Sequence, residues 1–102
     1  MTTWHEVAKA SDVPAGEALQ VKVGGEPIAI YNLDGTFHAT HDVCTHALAH
    51  LSDGYVDGDC VECPLHGGVF HIPTGECRGG PVQKPVRVFP IKREQDLLFV
   101  EA

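Results

Sequence analysis

Residues 44–46, Cys-Thr-His, and residues 63–68, Cys-Pro-Leu-His-Gly-Gly, decide how this chain is read. Each stretch sets a thiol and an imidazole close enough in sequence for one loop to present both to a metal. Together Cys44, His46, Cys63 and His66 offer two sulphur and two nitrogen donors to a single site, with residues 47–62 between the two loops. A lone C-x-x-H is weak; the paired, glycine-flanked set is specific. Working outward, turn signals are dense: Gly24-Gly25, Asp34-Gly35, Asp53-Gly54, Asp57-Gly58, Thr74-Gly75 and Gly79-Gly80. Between them lie short runs rich in branched and aromatic residues, which predict strands over 19–23, 28–31, 36–40, 59–62, 69–72, 87–91 and 97–100. Asn32-Leu33-Asp34-Gly35 reads as the turn of a hairpin joining the strands around Ile30 and Phe37. Helix is scarce, with short turns expected after Ser11-Asp12 and over Ala47 to Leu51. The pattern is that of an all-β sandwich or small barrel.

At 102 residues there is room for one domain with a modest core and none for a second catalytic domain. The first residues lack the basic start and apolar run of a signal peptide, and no apolar stretch approaches the ~20 residues of a membrane helix. A cytoplasmic protein without a membrane partner is expected. In a reducing compartment the four cysteines favour a metal over disulfides. The net charge of -7 argues against a nucleic-acid partner, since phosphate binding draws on a basic surface. No Lys or Arg lies between Lys22 and Arg78, whereas Glu26, Asp34, Asp42, Asp53, Asp57, Asp59, Glu62 and Glu76 do. Two explanations stand side by side for that acidic middle: simple solvation, or a field that steers a basic partner toward the metal loops.

The C-x-H, then C-P-x-H-G pattern resembles the Rieske iron-sulphur family, in which two cysteines hold one iron of a [2Fe-2S] cluster and two histidines the other. The resemblance covers essentially the whole chain. It implies a Rieske fold: an antiparallel β-sandwich base from about residues 1–40 and 81–102, with a cluster-binding lobe of about residues 41–80 inserted from the middle. It also implies that Cys44 and Cys63 ligate one iron and His46 and His66 the other. Two ferric ions, two sulphides, two thiolates and two neutral imidazoles sum to zero charge, so this core accepts an electron more readily than an all-thiolate one. The expected potentials are roughly -150 to +300 mV against about -400 mV.

In high-potential Rieske proteins each cluster loop carries a further cysteine and the two form a disulfide; Ala49 and Leu65 occupy those positions here. Those proteins also aim a serine and a tyrosine hydroxyl at sulphur, where this chain has Gly68 and Phe70. Fewer donors to sulphur leave the reduced state less stabilised, which predicts the low end of the range. The chain is similar to the small Rieske ferredoxins of bacterial multicomponent oxygenases that hydroxylate aromatic rings. That resemblance implies an electron carrier, not an enzyme. Its partners would be a flavoprotein NAD(P)H-dependent reductase and a terminal Rieske oxygenase, and a monomer suits the shuttle. Ala47, Leu48, Leu65 and Pro81 would form a dry collar around the exposed histidine edges.

Two other readings compete. A zinc site accepts the same four donors, although zinc fingers usually pair Cys with Cys and His with His. A Rieske-like small subunit of a nitrite reductase is the second. Cys60 and Cys77 are expected to pack rather than ligate, and His5, His38, His41, His50 and His71 are expected to be strand or surface residues. His71 stands where related ferredoxins have an aspartate or asparagine. Gly67 and Gly68 are expected to let the backbone approach the bridging sulphides.

Overall fold

A computed structural model describes residues 3–45, 48–65, 67–80 and 84–102 of the chain. Among the described residues eleven strands form three antiparallel sheets. The first joins β1 (Trp4–Lys9), β11 (Leu97–Glu101) and β10 (Ile91–Glu94) in the order β1-β11-β10. The second runs β2 (Ala18–Val23), β3 (Glu26–Leu33), β4 (Thr36–His41) and β9 (Val88–Phe89), in that order. The third is a meander of β5 (Tyr55–Asp57), β6 (Cys60–Glu62), β7 (Val69–His71) and β8 (Cys77–Gly79). Among the described residues no helix is long and apolar enough to cross a membrane.

Strand β3 explains how the layers meet. Its Ile28-Ala29-Ile30-Tyr31 run does not alternate with polar residues, and all four side chains are buried, as in a strand covered on both faces. Ile28 and Ile30 pack with Val13, Phe89, Leu98 and Val100 in a core beside the first sheet. Ala29 and Tyr31 face the other way, into a second core with Leu51, Val61, Phe70, Ile72 and Val86. Cys44 and Cys63 belong to that second core. One strand therefore couples the framework made from the chain ends to the loops that carry the motif.

Asp34 and Gly35 both adopt positive φ, 55° and 93°, and the Gly35 N–H donates to Asn32 Oδ1 at 2.7 Å. This is the hairpin expected from Asn32–Gly35. The expected strand over 87–91 is two strands. Pro90 lacks the N–H that would continue a ladder, so β9 pairs with β4 before it and β10 with β11 after it. Three strands were not anticipated: β1, β5 and β8. The turn expected over 47–51 is displaced; Leu48 to His50 are not helical, and a single 3-10 turn spans Leu51–Asp53. A second 3-10 turn, Ala10–Asp12, contains Ser11-Asp12 rather than following it.

Candidate metal centre

The two motif loops close alike. In the first, the Cys44 N–H donates to the Ala49 carbonyl at 2.9 Å; in the second, the Cys63 N–H donates to the Gly68 carbonyl at 2.7 Å. Each cysteine therefore begins a loop pinned to the carbonyl five residues on. Both side chains point inward, with 4% of Cys44 and 1% of Cys63 exposed. The thiols meet there: burial pushes the Cys63 thiol up, a Leu65 backbone N–H donated to it opposes this, and the hydrogen-bonded Cys44 side chain adds to the rise. Two buried soft donors from separate loops are the chemistry an iron-sulphur core requires. Among the described residues no third Cys, His, Asp or Glu joins them in a metal-holding group. The expected partners His46 and His66, like Ala47 and Pro81 of the expected collar, lie outside the described residues.

The stems differ. The second loop is the tip of the β6/β7 hairpin, with Glu62 paired to Val69. Gly67 at its crown has φ +71°. A third segment presses on it: a Cβ added to Gly80 would stand 2.5 Å from the Gly67 carbonyl oxygen and 2.9 Å from Gly68 Cα. Among the described residues the first loop has the isolated Val43–His50 bridge for a stem, and below it the Leu51 N–H donates to the Asp42 carbonyl at 2.7 Å. Thr45 Oγ1 donates to the Lys84 carbonyl at 2.9 Å, tying this loop too to the third segment.

The Asp42 side chain was not singled out from sequence. It is fully buried. Its Oδ1 accepts the Ser52 N–H at 2.7 Å, and its Oδ2 accepts the Ser52 hydroxyl at 2.8 Å and Gln20 Nε2 at 2.6 Å. Nearby, the Tyr31 phenol is raised far above its usual range by burial, with the Thr40 hydrogen bond opposing and the Asp42 charge adding to the rise. The one sequence signal was an aspartate two positions before a motif cysteine, indistinguishable there from the surface acids around it.

On the loops themselves, Leu48 is 97% and Leu65 46% exposed. His71 is more engaged than the surface residue expected: only 17% of its side chain is exposed, its Nε2 lies 2.8 Å from Asp59 Oδ2, and its Nδ1 lies 2.7 Å from Thr74 Oγ1. His41 and His50 face Glu26 and Asp53 at 3.3 and 3.9 Å. Cys60 donates weakly to Asp59 Oδ1, and burial raises its thiol, with the Asp59 charge adding to the effect. Cys77 packs against the second core.

Residues 3–90 match the family model for the Rieske [2Fe-2S] domain. The chain belongs to the Rieske family. It is 46% identical over 93 residues to the biphenyl dioxygenase ferredoxin subunit of Pseudomonas sp. strain KKS102, covering 90% of this chain and 85% of that protein. A chain in the solved complex of reduced oxygenase and oxidized ferredoxin in carbazole 1,9a-dioxygenase superposes with a TM-score of 0.89 at 41% identity, covering 95% of this chain and 91% of that one. The Sphingomonas yanoikuyae B1 ferredoxin superposes with a TM-score of 0.92 at 35% identity over 98% and 99% of the two chains. The all-β Rieske fold expected from the motif is the fold found. A Rieske domain contains a [2Fe-2S] cluster, and the paired buried thiols suit its thiolate-bound iron.

Proposed function

We propose that this protein is the one-electron ferredoxin of an aromatic-ring dioxygenase system, holding its cluster through Cys44 and Cys63 on one iron and His46 and His66 on the other. The observation that carries the reading is the convergence of two buried thiols from equally closed loops, in a chain with close ferredoxin relatives along almost its full length. When bound, the cluster supplies a one-electron couple of Rieske type. The protein's own part is to bury the sulphur end in the second core and keep water from it. Residues 41–80 act as the cluster-binding lobe and residues 1–40 and 81–102 as the base.

Leu48 and Leu65, the exposed apolar residues on the two loops, form the contact surface. A small apolar patch suits a partner that must bind and release quickly. Electrons arrive from a flavoprotein reductase that oxidises a nicotinamide cofactor and leave to the Rieske centre of a terminal oxygenase. The carrier acts as a cytoplasmic monomer. Phe70 is wholly buried in the core and carries no hydroxyl, and Gly68 carries no side chain, so the potential sits at the low end of the Rieske range. The nitrite reductase reading is not favoured, because the relatives are ferredoxin components of dioxygenase systems.

The test is a stopped-flow mixture of the reduced protein with an oxidised terminal Rieske oxygenase from a biphenyl or naphthalene system. Loss of the reduced spectrum in step with product formed in a single turnover is expected. A protein that stays reduced with every such oxygenase, while remaining reoxidisable by a chemical acceptor, contradicts the carrier role.

A further inference from the structure

Asp42 lies outside the metal-binding motif and is fully buried. A wholly buried carboxylate is costly to desolvate unless donors satisfy it, and here three do: the Ser52 N–H, the Ser52 hydroxyl and Gln20 Nε2. Their placement matters more than their number. Ser52 follows the C-terminal end of the first ligand loop, and Gln20 lies on β2, where it is exposed. Asp42 itself precedes the loop by two residues, with its N–H donated to the Pro27 carbonyl at 3.0 Å and its carbonyl accepting the Leu51 N–H. One side chain thus joins both ends of the first loop to each other and to the second sheet.

Among the eight acids between Lys22 and Arg78, Asp42 is the one that is wholly buried.

We infer that Asp42 is a positioning residue for the cluster: through Gln20 and Ser52 it clamps the first ligand loop shut. This deepens the proposed function and rests on Cys44 being a ligand.

The experiment uses cluster-loaded protein. Gln20→Ala removes one anchor from an exposed strand position and leaves the loop sequence intact. Chelator-driven cluster loss, followed at visible wavelengths alongside the paramagnetic resonance spectrum, is expected to quicken about tenfold with the thermal midpoint of the strands nearly unchanged, since a hydrogen bond that closes the loop is lost. An unchanged rate of loss overturns the clamp. Wild-type protein lacking a Rieske signature would instead overturn the ligand assignment, which separates the two failures.

Discussion

The two motif loops present their cysteines through the same backbone contact, yet they are held by opposite means. The first is fastened by a side chain, the buried Asp42 carboxylate, because its stem has no strand ladder, only an isolated bridge and single backbone hydrogen bonds among the described residues. The second needs no such fastening, since it caps a hairpin within a four-stranded sheet, and what it requires instead is the absence of side chains at Gly67 and Gly80. A loop grown from a regular hairpin inherits its register. A loop grown from irregular chain needs a polar anchor.

Removing that anchor is the largest expected perturbation. Asp42→Ala strands the Ser52 N–H and the Gln20 amide without their acceptor and opens a void, which should lower stability by about 3 kcal/mol. Chemical denaturation of the metal-free protein measures it, and a loss smaller than that of Gly67→Ala would reverse the contrast between the loops. Gly80→Ala follows. Its Cβ would overlap the Gly67 carbonyl, and its φ of +72° disfavours any side chain, so about 2 kcal/mol should be lost together with much of the bound iron and sulphide. Gly67→Ala should cost about 1 kcal/mol, because only φ opposes it; the nearest atom to the added Cβ is Glu62 Oε2 at 3.9 Å. If Gly67→Ala retains a full cluster, close approach of the backbone to the bridging sulphides is not what that glycine provides.

Acid sharpens the contrast on the side of the second loop. Burial first, and the charge of His71 second, hold His38 below its ordinary pKa of 6.5. The unfolded chain therefore binds more protons, and stability falls as pH drops below about 6.5. His71 in turn is stapled to Asp59, whose carboxyl it holds below the usual range by hydrogen bonding. That contribution is present above pH 3.8 and is lost only as pH falls through the lowered value. Urea midpoints at pH 7.5 and pH 5.5 should differ more for the wild type than for His38→Gln. Equal differences would remove His38 from the account. The smallest effect on folding belongs to Leu48→Ser, at the most exposed apolar position, which should change stability by less than about 0.5 kcal/mol. Electron delivery to the oxygenase should nonetheless slow, and an unchanged rate would place the contact surface elsewhere.

Much of this was legible in the residues, for identifiable reasons. The motif cysteines announce themselves because iron-sulphur chemistry allows few substitutes, and Asn32–Gly35 because positive φ at two successive residues demands Asp-Gly. The seven expected strands are those whose apolar residues bury against other layers. Two of the three strands that were missed, β5 and β8, are three-residue edge pieces whose pattern is set by pairing with the hairpin rather than by their own periodicity, while β1 is a six-residue edge strand that pairs with β11 from the far end of the chain. Pro90 punctuates the change of sheet, but which strand pairs on either side is a long-range outcome. Asp42 was invisible for the same reason: its meaning lies in Gln20 and Ser52, 22 and 10 residues away. His71 was misjudged because its partners, Asp59 and Thr74, are supplied by turns on either side of it.

The central claim is a diiron core held by sulphur on one iron and imidazole on the other, and the electron paramagnetic resonance spectrum of the dithionite-reduced protein tests it most directly. The account predicts a reduced [2Fe-2S] signal whose average g falls below that of an all-cysteine cluster. A silent spectrum from iron-loaded, reduced protein, or one with the average g of four thiolates, would contradict it.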